Sequence, residues 1–319
     1  MTNLNFEFGT FYRHIGLSAS QKKTMFTLRQ SLRSRIRHYF QHELNLRPPA
    51  FFSLGRQATA TALAPTYGEI VMEEGVLLQH LPRDIILQWP EPDVVHVQML
   101  GGVQDHTPDP PIDKMHSVCV QYRGLYKIEI SILAPGPDGN LLAIHDVQGW
   151  QPCHQEPLAA WFKNQIKHHG LQLRRVASYL HAWADFHPNG LDAFAWRLPL
   201  DILAARYFQA DIERDDNSLS RTAAAILESA HNDRTWPIPF AKDYSLPWFL
   251  SQEENRQFFE SLEVLIERSH CAVTTKDKTR ACAVWRSLLG DRFPLAETSN
   301  RLFDPLLRDP QPRRCYSRV

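Results

Sequence analysis

Residues 67–78 read YGEIVMEEGVLL, a run whose apolar and β-branched residues predict a strand. Alternate residues of a strand point to the same face, so Glu69, Val71 and Glu73 share one face and Glu74 points to the other. Carboxylates on one strand face fit either a divalent-metal site or the solvated edge of a sheet. The neighbouring segments must distinguish the two.

Short strand-like segments continue on both sides of this run and predict a mixed sheet. They are separated by proline and glycine and read FFSLG (51–55), VVHVQML (94–100), SVCVQY (117–122) and LYKIEISILA (125–134). In the last segment Ile128 and Ile130 alternate with Lys127, Glu129 and Ser131, so one face is apolar and the other polar. A Lys–Glu pair on a half-buried edge would explain that polar face without catalysis.

Residues 18–45 predict one long amphipathic helix, with Ser18 or Ser20 as its N-cap. A run of arginines lies on or beside the predicted solvated face of this helix, namely Arg29, Arg33, Arg35 and Arg37. Such a run is typical of a solvated helix face, and a phosphate contact is the less common alternative.

From about residue 157 the apolar residues recur at helical spacing. The segments are 158–170, 173–187, 199–210, 218–231, 252–273 and 278–290. The order of helix, mixed sheet and a run of helices predicts an α+β lobe joined to a helical lobe.

Composition excludes several classes of protein. The 319 residues carry no net charge, with a pI near 7.3, so the charge balance indicates neither nucleic acid nor a membrane as partner. The five cysteines form no CxxC pair, which predicts reduced thiols in a cytoplasmic protein. No P-loop, GxGxxG or GxSxG motif is present.

Six segments resemble, in order, the motifs of one enzyme family. They are the helix at 13–40, a glycine loop at 51–63, an acidic strand at 71–78, a second acidic strand at 120–134, a lobe-joining helix at 171–186 and AVWRSLLGDRFPL at 283–295. Together they resemble the cGAS/DncV-like nucleotidyltransferases (CD-NTases), bacterial enzymes that make cyclic oligonucleotide signals in antiphage defence.

The resemblance implies an α+β fold, in which a Pol-β-like nucleotidyltransferase lobe with a long N-terminal spine helix packs on a C-terminal helical lobe. We expect the first lobe to span residues 1–155 and the helical lobe 156–300. A basic, proline-containing tail follows at 301–319.

The resemblance also implies three metal-binding acids, which fall on Val71, Glu73 and Glu129. In this family two Mg²⁺ ions stabilise the attacking and leaving oxygens of nucleotide transfer. Valine has no lone pair, so Val71 leaves the first ligand position without a donor, while Glu73 and Glu129 keep the charge. Glu69 lies two residues earlier, about 6.6 Å along the strand, and is the alternative ligand.

Four further positions are implied to bind the nucleotide: Gly55, Arg56, Thr61 and His181. The family's small Gly-Ser loop, which lets backbone N–H groups approach phosphate, reads Gly55-Arg56 here. His181 stands where the family has a lysine. His181 and Asp185 also lie four residues apart on a helix, a spacing that suits a metal but is more often a surface pair.

Two functions from different classes remain open. The first is a catalytically impaired CD-NTase-fold protein that acts as a nucleotide-binding or regulatory partner of an antiphage effector or an active synthase. The alternative is an active enzyme that makes a cyclic or linear oligonucleotide from NTPs, using Glu73, Glu129 and Glu69 on Mg²⁺ or Mn²⁺. A structural subunit with a closed cleft is a third hypothesis.

Overall fold

The computed structural model describes nine ranges of the chain: residues 2–66, 68–83, 85–124, 126–145, 149–187, 200–232, 237–238, 241–245 and 252–296. Over these ranges the protein is a mixed α+β structure with two buried apolar clusters. One cluster lies between the main sheet and its helices, and the other lies among the C-terminal helices.

The main sheet has seven strands within the described ranges. They are β1 (Ala50–Ser53), β2 (Ile70–Leu77), β3 (Ile112–Lys114), β4 (Ser117–Tyr122), β5 (Tyr126–Gly136), β6 (Gly139–Ile144) and β7 (Gly149–Pro152). The order along the sheet is β1-β2-β5-β4-β3, and β6 pairs with the end of β5 and with β7. Only β2 and β5 run parallel among these pairs, so the two predicted acidic strands lie side by side.

The segment predicted as the spine helix, 13–40, is interrupted at residues 16–18, because Gly16 ends one helix and Ser18 caps the next. Its main part is α2 (Ala19–His38), which continues as a π-helical turn at Tyr39–Glu43. Ser18 is its N-cap, as predicted, and forms a capping box with Gln21. The apolar side of α2 packs on the sheet through Leu32 and Ile36.

The arginines of α2 do not all face solvent. Arg29 and Arg33 turn inward and form ion pairs with Glu74, which is 2% exposed. Glu74 therefore lies on the opposite face of β2 from Glu73, as strand periodicity predicts. The interpretation of Arg29 and Arg33 as solvated is wrong, because a buried acid on the sheet draws them in.

One predicted strand is a helix. The segment VVHVQML belongs to α4 (Pro92–Val103), which packs against the sheet. Its valines favour strands, yet Val95, Met99 and Val103 are buried at a spacing of four residues. Pro92 at the first turn provides a φ suited to a helix start, and burial against the sheet outweighs β-propensity.

The C-terminal helices form the second cluster. They are α5 (Gln155–His169), α6 (Leu171–Phe186), α7 (Leu200–Arg206), α8 (Asp215–Asn232), α9 (Gln252–Thr274) and α10 (Lys278–Leu289), with a two-stranded hairpin of β8 (Pro237–Ile238) and β9 (Ala241–Ser245). The N-terminal helix α1 (Asn5–Ile15) joins this cluster, since Phe8 contacts the rings of Tyr179 and Trp285 edge-on.

The division into lobes at residues 155 and 156 stays a prediction. The predicted tail at 301–319 lies outside the described residues. Among the described helices, none has the length and apolarity needed to cross a bilayer.

Replacing Glu74 with alanine should lower the free energy of unfolding by about 3 kcal/mol, because the change leaves two largely buried guanidinium groups without their carboxylate. Urea denaturation measures the loss. The matched control is Glu253→Ala, which removes an exposed pair with Arg256 and should leave stability almost unchanged. Equal losses in the two variants would contradict this account of the spine helix.

Candidate functional site

The parallel pairing of β2 with β5 builds the predicted acidic face. Glu73 lies opposite Glu129 in the register, and Val71 lies opposite Lys127. Two carboxylates thus stand on neighbouring strands, and a lysine stands beside the position where the resemblance places the first acid. On the other side of β5, Cys119 of β4 lies opposite Glu129.

The carboxylate of Glu73 lies against the glycine loop. This loop begins α3 (Gly55–Thr59), and Gly55 has a positive φ of 54°. A side chain added at Gly55 would overlap the carboxylate of Glu73. The backbone N–H of Arg56 donates a hydrogen bond to the same carboxylate. An acid of the chain itself therefore occupies the place where glycine would allow close approach of an anion.

Burial is the largest influence on Glu73 and raises its pKa above the ordinary value of 4.5. The charge of Arg56 opposes this rise, and the neighbouring Glu129 adds to it. The protonated form of Glu73 is thus favoured more in the folded protein than in the unfolded chain.

Two lysines hold Glu129. Lys114 Nζ lies 2.6 Å from Glu129 Oε1, and Lys127 Nζ lies 3.9 Å from the same oxygen. Burial opposes the charged form of Lys114, but its hydrogen bond and ion pair with Glu129 raise its pKa overall. The ammonium of Lys114 reaches Glu129 from β3, two strands away in the sheet order.

Glu69 and Val71 complete this part of the sheet. The carbonyl oxygen of Val71 accepts a 2.7 Å hydrogen bond from Gln57 Nε2, which ties β2 to α3. Burial raises the pKa of the Cys119 thiol, and the negative charges of Glu129 and Glu69 add to the rise. Glu69 therefore lies close enough for its charge to act on Cys119.

Thr61 and His181 meet at a third residue, Asp201 of α7. His181 Nε2 lies 3.0 Å from Asp201 Oδ1, and the Thr61 hydroxyl lies 3.3 Å from Asp201 Oδ2. All three side chains are buried. The triad joins the segment after the glycine loop to two helices of the second cluster, and nucleotide binding by Thr61 and His181 stays a prediction.

Arg56 and Asp185 form a partly exposed ion pair beside this triad, and we call this pair the rim. Arg56 Nη1 lies 3.4 Å from Asp185 Oδ2, and the arginine side chain is 39% exposed. His181 and Asp185, four residues apart on α6, are thus held by different partners. Burial lowers the pKa of the nearby His187.

The donor set of the acidic face does not fit two hard divalent ions. Mg²⁺ requires several oxygen ligands in near-octahedral geometry. Val71 offers no side-chain oxygen, Glu73 is directed into the glycine loop, and Glu129 is paired with lysine. The described positive groups that act on this face are the ammonium groups of Lys114 and Lys127 and the guanidinium of Arg56.

The comparisons with known proteins concern the fold. No protein-family model matches the chain. The Vibrio cholerae DncV cyclic AMP-GMP synthase, solved with nonhydrolyzable GTP, superposes with a TM-score of 0.74 and 14% identity over 93% of this chain and 100% of that chain. The apo form of V. cholerae DncV gives 0.73 and 15% over 92% and 96%. Escherichia coli DncV bound to 3′-deoxy GTP gives 0.70 and 15% over 88% and 93%.

This chain has the DncV-like nucleotidyltransferase fold. The predicted fold class and the resemblance to cGAS/DncV-like nucleotidyltransferases are confirmed at the level of fold. Fold does not establish activity, so the roles of the candidate residues must be argued from the contacts that they make in this chain.

Sequence reasoning missed two residues of the candidate site. Lys114 lies between the predicted strand segments at 94–100 and 117–122, and only the register of β3 on β4 brings it to Glu129. Asp201 lies in a predicted helix and meets His181 only through the packing of α7 against α6. Lys127 was visible in the alternation of β5, but only as half of a surface pair.

Replacing Glu73 with glutamine should raise the free energy of unfolding relative to the wild type, and the difference should grow as pH rises. Because burial raises the pKa of Glu73 in the folded state, the wild type loses stability as pH rises from about 4.5 through the folded-state pKa. Glutamine has no charge to desolvate, so the variant should avoid that loss. Chemical denaturation between pH 4 and pH 8 measures the free energy of unfolding of both proteins. Parallel plots of that free energy against pH would refute the prediction.

Proposed function

We propose that this protein is a catalytically impaired CD-NTase-fold protein that binds a nucleotide without divalent metal and serves as a regulatory partner in bacterial antiphage signalling. The observation that carries the proposal is the 2.6 Å contact of Lys114 with Glu129. A lysine of the chain holds the acid that the resemblance assigns to metal, and it does so in a protein with the DncV-like fold.

The proposed binding uses three cations around the acidic face. Lys114 and Lys127 have several N–H donors each, and pairing with Glu129 leaves the remaining donors for phosphate oxygens. Arg56 adds a partly exposed guanidinium at the rim. Phosphates bound here would meet fixed positive charge where the family uses ions.

The geometry of Glu73 supports binding over transfer. Its carboxylate accepts a hydrogen bond from the backbone N–H of Arg56 and packs against Gly55. It would therefore compete with a phosphate for the glycine loop. A triphosphate in this site would be held by the lysines and Arg56, with no ion to activate the attacking oxygen. We place the protein in the cytoplasm, where nucleotides and an effector or active synthase would be its partners.

One observation favours the alternative of an active enzyme. Glu73 and Glu129 occupy paired positions on adjacent parallel strands, and the charge of Glu69 acts on Cys119, which lies opposite Glu129. Three glutamates could turn toward an ion if Lys114 released Glu129. In that case the protein would join NTPs into a cyclic or linear oligonucleotide with Mg²⁺ or Mn²⁺.

Nucleotide binding should be independent of divalent metal. Calorimetry with GTP and ATP should give the same affinity in EDTA and in Mg²⁺. Lys114→Met and Lys127→Met should each weaken binding about tenfold or more, because a hydrogen bond to a charged group contributes about 1.5–3 kcal/mol. The control Lys163→Met changes an exposed lysine of α5 and should leave the affinity unchanged. Binding that requires Mg²⁺ would contradict the proposal.

Catalysis separates the two functions directly. Labelled NTPs incubated with the protein and Mg²⁺ or Mn²⁺, with and without DNA or RNA, should yield no phosphatase-resistant product. A product that disappears in both Glu73→Ala and Glu129→Ala would establish nucleotidyltransferase activity and overturn the proposal that catalysis is impaired.

A further inference from the structure

A second cluster of ligand-type side chains lies away from the acidic face. His96 of α4, Asp113 of β3 and His145 at the end of β6 each offer one donor atom, and the three atoms lie within 4.8 Å of one another. We propose that these three residues form a binding site for a Zn²⁺ ion that fastens α4 to the edge of the sheet.

The distances suit a small cation. His96 Nδ1 lies 2.7 Å from Asp113 Oδ1, and His145 Nε2 lies 3.8 Å from the same oxygen. Zinc binds imidazole nitrogen and carboxylate oxygen at about 2.0–2.2 Å, which places tetrahedral donors about 3.3 Å apart. The two separations bracket that value, so small rotations of the side chains would complete the geometry.

The surroundings of His96 point independently to a cation. Its side chain is 1% exposed, and its Nε2 lies 3.3 Å from the carbonyl oxygen of Ala143. Both ring nitrogens thus face oxygen acceptors, but a neutral imidazole has only one N–H. In this structure Nδ1 and Asp113 Oδ1 form a 2.7 Å hydrogen bond. When Nε2–H instead donates to Ala143, Nδ1 presents its lone pair toward Asp113, and a cation that separates the two atoms to about 3.3 Å satisfies both groups.

The hydrogen bond to Ala143 is also what a zinc-binding histidine requires. Ligating histidines commonly donate their other ring N–H to a backbone carbonyl, which fixes the tautomer and the ring orientation. Ala143 belongs to β6, the strand that leads directly to His145. The segment of β6 and the residue after it therefore supply one ligand, His145, and the carbonyl oxygen that orients another ligand, His96.

Access and donor type favour zinc over magnesium. The side chains of Asp113 and His145 are 33% and 22% exposed, so an ion has a path from solvent and a fourth position is open to water. Two imidazoles with one carboxylate suit Zn²⁺, whereas Mg²⁺ prefers oxygen donors alone.

The site would also act on the acidic face. Neighbouring residues of a strand point to opposite faces, so Asp113 reaches the histidines while Lys114 reaches Glu129. The strand β3 has three residues and pairs only with β4 among the described strands. An ion bound at Asp113 would hold this short edge strand, and Lys114 with it, in register.

Zinc titration tests the site. The protein is freed of metal with EDTA, dialysed and titrated with zinc chloride by calorimetry, and we expect one equivalent to bind. Asp113→Asn and His145→Gln should each weaken binding by about 100-fold or more, beyond the usual cost of losing an outer-shell partner. His168→Gln, which changes an exposed histidine at the end of α5, should bind as the wild type does.

Two further measurements exclude other causes. Zinc should raise the Tm of the wild type and of His168→Gln but not of Asp113→Asn. The Tm also shows whether each variant is folded. Cobalt substituted for zinc should give tetrahedral absorption bands without a thiolate charge-transfer band. A thiolate band, binding that persists in Asp113→Asn and His145→Gln, or a wild type that takes up no zinc would overturn the proposal.

Discussion

The parallel pairing of β2 with β5 brings two carboxylates together, and the other residues of the site place positive charge near them. Glu73 and Glu129 stand at paired positions, where like charges destabilise a sheet unless cations lie nearby. Among the described residues, lysine and arginine side chains provide such positive groups. Lys114 and Lys127 hold Glu129, while Arg56 provides a backbone N–H and a charge for Glu73.

The same strand anchors the spine helix on its other face. Glu74 binds Arg29 and Arg33, and Arg29 also donates to the Ser53 hydroxyl and to the carbonyl oxygen of Glu73. Successive glutamates of β2 are therefore neutralised from opposite sides of the sheet. This arrangement fixes the end of β1, and with it the glycine loop that receives the carboxylate of Glu73.

Local patterns predicted much of the fold. The alternation in β5 and the capping residues of α2 follow from backbone geometry within a few residues. The prediction of a strand at VVHVQML is wrong because its valines suit a strand as well as a helix buried on one side, and packing on the sheet chose the helix. Likewise α1 shares only residues 13–15 with the predicted spine helix, and its place in the second cluster depends on Phe8 meeting Tyr179 and Trp285.

The sequence by itself determined which residues share a strand face, and it determined the order of spine helix, mixed sheet and C-terminal helices along the chain. Only the tertiary structure decided that Glu73 turns into the glycine loop, that Lys114 reaches Glu129, and that His96 converges with Asp113 and His145. The reason is physical. Periodicity is a property of neighbouring residues, whereas convergence depends on the register and packing of segments that lie far apart in the chain.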